Sequence, residues 1–134
     1  MGDKHCRATG DWTIAVPTEF AMELDDDSWM AYEGDRCVYV ASVAVRADGR
    51  DPLARSLYES ASKKLAPATA EIERFSHDEA GLVGGAQIRR DGDRFELKGL
   101  MCADGSVATC AIWFVRAEHR DWALATWRSL RHSS

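Results

Sequence analysis

"LVGGAQIRRDGDRFELKGLMCADGSVATCAIWFVR", residues 82–116, holds two Asp-Gly pairs, at 91–92 and 104–105, each set between apolar runs. Asp-Gly in that setting is a hairpin signal. A two-residue turn at Asp91-Gly92 places Ile88 against Phe95 and Ala86 against Leu97. One at Asp104-Gly105 places Leu97 against Ile112 and Phe95 against Phe114. Turn chemistry and side-chain facing then agree on one continuous apolar face, which predicts a three-stranded antiparallel meander.

Outward from the meander, "RDWALATWRSL" (120–130) reads as a helix that Asp121 is suited to cap, with Ala123, Trp127 and Leu130 on one side. Upstream, "DPLARSLYESASKKLAP" (51–67) predicts a helix over 52–65. Asp51 suits its N-cap and Pro52 its first turn, while Leu53, Leu57, Ala61 and Leu65 recur every four residues. "TAEIERF" (69–75) reads as either strand or loop.

"SWMAYEGDRCVYVASVAV" (28–45) predicts a hairpin with a Gly34-Asp35 turn, Glu33 opposite Arg36, Tyr32 opposite Cys37 and Met30 opposite Tyr39. Its second arm is apolar on both faces, as in the middle of a covered sheet. "DWTIAVP" (11–17) alternates as a half-buried strand, and "TEFAMELDDD" (18–27) continues the alternation as a short edge strand. Residues 1–10 are expected to form a flexible tail. The whole predicts an α+β fold: a single domain over 1–134, with an antiparallel sheet, a C-terminal meander and two main helices.

Composition narrows function by exclusion. The 134 residues are 46% hydrophobic and 29% charged, with a net charge of -5, as in an ordinary globular domain. Basic residues are scattered, which argues against a nucleic-acid partner. No apolar run reaches membrane-span length, and "MGDKHCRATG" lacks a secretory h-region and has Cys6 where a myristoylation site wants Ser or Thr. The expectation is a cytoplasmic protein with no membrane association.

The four cysteines, at 6, 37, 102 and 110, contain no C-x-x-C. With a two-residue turn at 104–105, Cys102 and Cys110 point to opposite faces of the sheet. A three-residue loop would put them on one face but diagonally, about 7 to 8 Å apart, too far for a comfortable disulfide. Buried, reduced thiols are expected, with Cys6 an accessible thiol on the tail and no zinc.

"GLVGGA" (81–86) is not a phosphate loop, since it precedes a strand and lacks the Gly order and Lys of one. The registers above align Gly84, Gly99 and Cys110 as a strip of small residues over which a helix packs. "SHDE" (76–79) reads as a polar turn, and Asp25-Asp26-Asp27 lacks the spacing of a calcium loop. Of the five tryptophans, Trp113 and Trp127 are expected in the core, with Trp29 and Trp122 partly exposed. No catalytic, cofactor-binding or metal-ligating residue is assigned.

"WTIAVPTEF", "CVYVASVAV" followed by one helix, the meander ending in "TCAIWFV", and the closing "WALATWRSL" together resemble the PsbP-like fold superfamily. That superfamily includes photosystem II extrinsic proteins, Ran-binding Mog proteins, DcrB-like proteins and Eag chaperones. The resemblance implies a non-enzymatic module that binds another protein as an adaptor, assembly factor or chaperone; no functional residue carries over. The alternative is a small enzyme or ligand-binding domain with a pocket at the Gly84/Gly99 strip.

Overall fold

The computed structural model describes residues 2–25, 28–46 and 49–133, so Asp26 and Asp27 of the acidic run lie outside the described residues. The chain runs β1 (Asp3–Arg7), β2 (Trp12–Pro17), β3 (Ala21–Leu24), β4 (Ser28–Glu33), β5 (Arg36–Ala44), α1 (Ala54–Ala61), β6 (Ile72–Glu79), β7 (Leu82–Asp91), β8 (Arg94–Ala103), β9 (Ser106–Phe114), α2 (Arg120–Arg128) and β10 (Arg131–His132). Two antiparallel sheets result. One has seven strands in the order β3-β4-β5-β9-β8-β7-β6, and the other three in the order β1-β2-β10. The α+β class, the interior place of β5 and the meander β7-β8-β9 follow the sequence reading.

Both Gly-containing turns that lie next to β5 and β9 keep their predicted registers. Glu33 pairs with Arg36 and Met30 with Tyr39, and Ala103 pairs with Ser106, Leu97 with Ile112 and Phe95 with Phe114. The first meander turn does not. Asp91 pairs with Arg94, so Gly92-Asp93 is the turn, Ile88 faces Leu97 and Ala86 faces Gly99. Gly92 has φ of 66°, and glycine at the first central position is what a type II′ turn wants. The slip is of two positions, so every side chain keeps its face.

The small-residue strip is corrected with it. The row across β7, β8 and β9 is Ala86, Gly99 and Cys110, while Gly84 sits between Met101 and His77. Trp127 of α2 fills the space over Gly99, where a Cβ would lie 2.6 Å from its Cδ1. Its indole N–H donates to the Leu100 carbonyl at 3.2 Å. The strip is therefore a seat for α2.

Three layers build the core. The inner face of the seven-stranded sheet, with Trp29, Val38, Val40, Leu97, Met101, Cys110, Ile112 and Phe114, packs on α2 and on Trp12, Ile14 and Val16 of β2. Ala123, Trp127 and Leu130 are all fully buried, as their spacing predicts. α1 lies on the other face, over Val83 and Cys102.

Several local expectations are overturned. Residues 3–7 are not a free tail: they pair with Thr13–Pro17 and bury Cys6. The predicted helix over 52–65 is shorter, spanning Ala54–Ala61 with a 3₁₀ turn at Ser62–Lys64. Asp51 does not cap it. The Ala54 amide instead donates to the Asp104 carboxylate at 2.9 Å, while Asp51 packs on Gly105 and faces Arg46 at 3.6 Å. Asp121 lies inside the first turn of α2, beside Arg120, and makes no side-chain cap. "TAEIERF" resolves into strand from Ile72, and "SHDE" is the end of that strand, the turn following at Ala80-Gly81. Trp29 is buried, whereas Trp113 is half-buried on the outer face.

Candidate functional site

No group of three or more His, Cys, Asp or Glu side chains converges among the described residues. Cys102 lies under α1 and Cys110 under α2, on opposite faces of the sheet. Burial raises their thiol pKa values to about 11 and about 12, so both are poor nucleophiles near neutrality.

"SHDE" alternates across β6. His77 points to the core side, edge-on to Trp127 with ring centroids 6.2 Å apart, and its buried Nε2 has no hydrogen-bond partner. Asp78 lies on the other face and pairs with Arg55 at 2.6 Å. Ser76, His77, Asp78, Glu79, Arg128 and Arg131 line a shallow cleft. Desolvation holds the imidazole below its ordinary pKa, opposed by Glu79 and reinforced by Arg131 and Arg128. Among the described residues no hydroxyl or thiol is bonded to this imidazole, and nucleophilic catalysis needs such a partner.

The outer face of the seven-stranded sheet is a different surface. α1 packs over β8 and β7 and meets β9 only at its margin, held there by Val83, Cys102, Leu57 and Tyr58. β5 is an interior strand, yet among the described residues no helix packs over its outward side chains Tyr39, Ala41 and Val43. They pair with Ala111, Thr109 and Val107 of β9. Val43 remains 57% exposed.

Between this bare strip and α1 runs a groove of about 400 Å³, floored by Ala41, Val43, Val45 and Val107 and walled by Leu57 and Ala61. Among the described residues, Lys64 is the one charged side chain lining it. Sequence reasoning saw that β5 is apolar on both faces and inferred that both are covered. The pattern could not tell cover supplied by this chain from cover left to something else.

No family model matches the chain, and no curated protein does. Among solved structures it is similar to cyanobacterial PsbP (CyanoP) from Synechocystis sp. PCC 6803. The TM-score is 0.61 at 10% identity, over 98% of this chain and 93% of that one. At that identity the likeness establishes the fold alone. Among the described residues, no helix is long and apolar enough to cross a membrane.

Proposed function

From the premise that this chain has the PsbP-like fold, we propose that it is a non-enzymatic protein-binding module of the adaptor, assembly-factor or chaperone type, and that the groove beside α1 is its docking seat. The observation that carries this reading is the bare apolar strip of β5 and β9. An interior strand that is apolar on its outward face is ordinarily covered by a helix. α1 covers β7 and β8 and reaches β9 only at its margin, by Val107.

The occupant that suits the seat is an amphipathic helix of a partner protein, laid next to α1 with its apolar stripe on Val43 and Val107. Helices packed side by side on a sheet sit about 8–10 Å apart, and helix-in-groove recognition reads apolar anchors at helical spacing. Lys64 at the rim favours acidic residues on the flank of that helix. Catalysis has less support, because the groove holds no pair of titratable groups to act as acid and base.

A photo-crosslinking residue at Val43, with Glu118 as the control position, tests the reading in the source cells. One dominant adduct from position 43, reproduced with the purified partner and absent from position 118, is the expected result. Indistinguishable adduct patterns at the two positions would contradict it.

A further inference from the structure

The seven-stranded sheet ends on β3, which pairs with β4 and, among the described residues, with nothing on its other side. The Asp25 amide donates to the Ser28 carbonyl at 2.8 Å, which sets the phase of this ladder. Because hydrogen-bonded pairs alternate in an antiparallel ladder, Glu23/Met30 and Ala21/Tyr32 are the next bonded pairs. Met22 and Leu24 therefore turn their N–H and C=O groups outward.

Open edges invite pairing, and proteins usually blunt them with Lys, Pro, bulges or cover. β1 reads DKHCR, β6 reads IERFSHDE and β10 is Arg131-His132. Each of these carries cationic side chains. β3 reads AMEL, all four residues exposed, with no Lys, Arg or Pro. Its only charged side chain is Glu23.

The side chains around this edge are arranged in two sets. Met22 and Leu24, 47% and 73% exposed, continue the row of buried Ala31 and Trp29 and line a cavity of about 410 Å³ with Trp29, Cys6, Lys4, His5, Arg7 and Glu23, where Lys4 is held by donating to the Phe20 carbonyl at 2.7 Å. On the opposite side of the sheet, Glu23 lies among Met30 and Tyr39 in a second cavity of about 570 Å³. One row is apolar and the other acidic.

We propose that β3 is a docking edge for an extended segment of a partner protein, added as an eighth strand. Its apolar side chains lie on the Met22/Leu24 side, and a Lys or Arg faces Glu23. Main-chain hydrogen bonds to Met22 and Leu24 supply affinity, and the two rows read alternate side chains. A second copy of this chain fits poorly. Antiparallel self-pairing centred on Glu23 opposes Glu23 to itself, centring on Met22 opposes Asp25 to Glu19, and centring on Leu24 opposes Glu23 to Asp25. Like charges directly opposite each other destabilise a strand pair.

This edge is separate from the groove beside α1, and different variants test the two. The probe is a blocked nine-residue peptide alternating valine and lysine, with an N-methylated twin and a valine–glutamate twin, titrated into the full chain. The expected result is saturable binding that slows amide exchange at Met22 and Leu24, with both twins weaker by about tenfold or more. Glu23→Lys, a change at an exposed side chain, should reverse the preference between the lysine and glutamate peptides, while Val43→Asp leaves both unchanged. No saturable binding, unchanged exchange at Met22 and Leu24, or a dimer in sedimentation that Glu23→Lys alters would each overturn the proposal.

Discussion

The indole of Trp127 occupies the space that a side chain on Gly99 would need: a Cβ there would stand 2.6 Å from Trp127 Cδ1 and 2.8 Å from its Nε1. That indole is fully buried and bonded to the Leu100 carbonyl, so it has nowhere to move. Gly99→Val should destabilise the protein by about 1 to 3 kcal/mol, although valine is the better strand former. Urea unfolding reads the sign. A variant as stable as the parent would mean that α2 does not sit on this row.

Gly85 supplies a contrast. A Cβ there would collide with the hydroxyl end of Tyr58, but Tyr58 is only half-buried and its ring can swing outward. Gly85→Ala should therefore cost less than Gly99→Ala in the same unfolding assay. Equal losses would place the rigidity of the fold in the strands themselves and not in α2.

The start of α1 gives a second pair of variants. Asp104→Ala removes the carboxylate that accepts from the Ala54 amide and should cost about 1 kcal/mol, the usual value of a capping side chain. Asp51→Ala removes an exposed ion pair with Arg46 and should cost less than about 0.5 kcal/mol. Denaturation midpoints that rank the two the other way would return the cap to Asp51.

That misassignment shows where the sequence stops being legible. Local reading can see Asp51 before Pro52, but it cannot see that the turn after β8 brings Asp104, fifty positions on, to the same amide. Slips of two positions are equally hidden. "DGD" at 91–93 offers two turns that keep every side chain on its face, so the apolar pattern cannot choose between them. Both stretches hold a single Gly; at 104–105 the Asp-Gly pair itself is the turn that forms, so the register was legible there. β1 escaped because four of its five residues are polar and Cys6 alone is buried. The groove beside α1 was legible only as an apolar second face on β5, since which half of a sheet a helix covers is a tertiary fact.

His77 should make stability depend on pH. Its imidazole is held below the ordinary value chiefly by desolvation, so folding disfavours the charged form. The unfolded chain then binds more protons on acidification. The stabilisation is complete above the unfolded value of about 6.5 and is lost as pH falls toward the lower folded value. His77→Phe should flatten the stability profile between pH 7 and 5. An unchanged slope would mean that His77 is not buried neutral against Trp127.

The thiols should react in an order set by burial. Cys37 is the only one of the four that is not buried, and Cys102 and Cys110 have pKa values near 11 and 12. In native protein at pH 8, a thiol reagent should modify Cys37 first and leave Cys102 and Cys110 until denaturant is added. Early labelling of Cys110 would contradict the seating of α2 over β9.

The groove beside α1 carries the functional account, and a binding measurement on Val43→Asp tests it most directly. Val43 is largely exposed, so the variant should melt with the parent. An acidic-flanked amphipathic helical peptide, titrated into isotope-labelled protein, should shift the amides of Ala41, Val43, Leu57 and Val107 saturably, and Val43→Asp should weaken that binding at least about tenfold. Shifts that fall elsewhere, or equal affinity in the two proteins, would contradict the claim that this strip is where the module meets its partner.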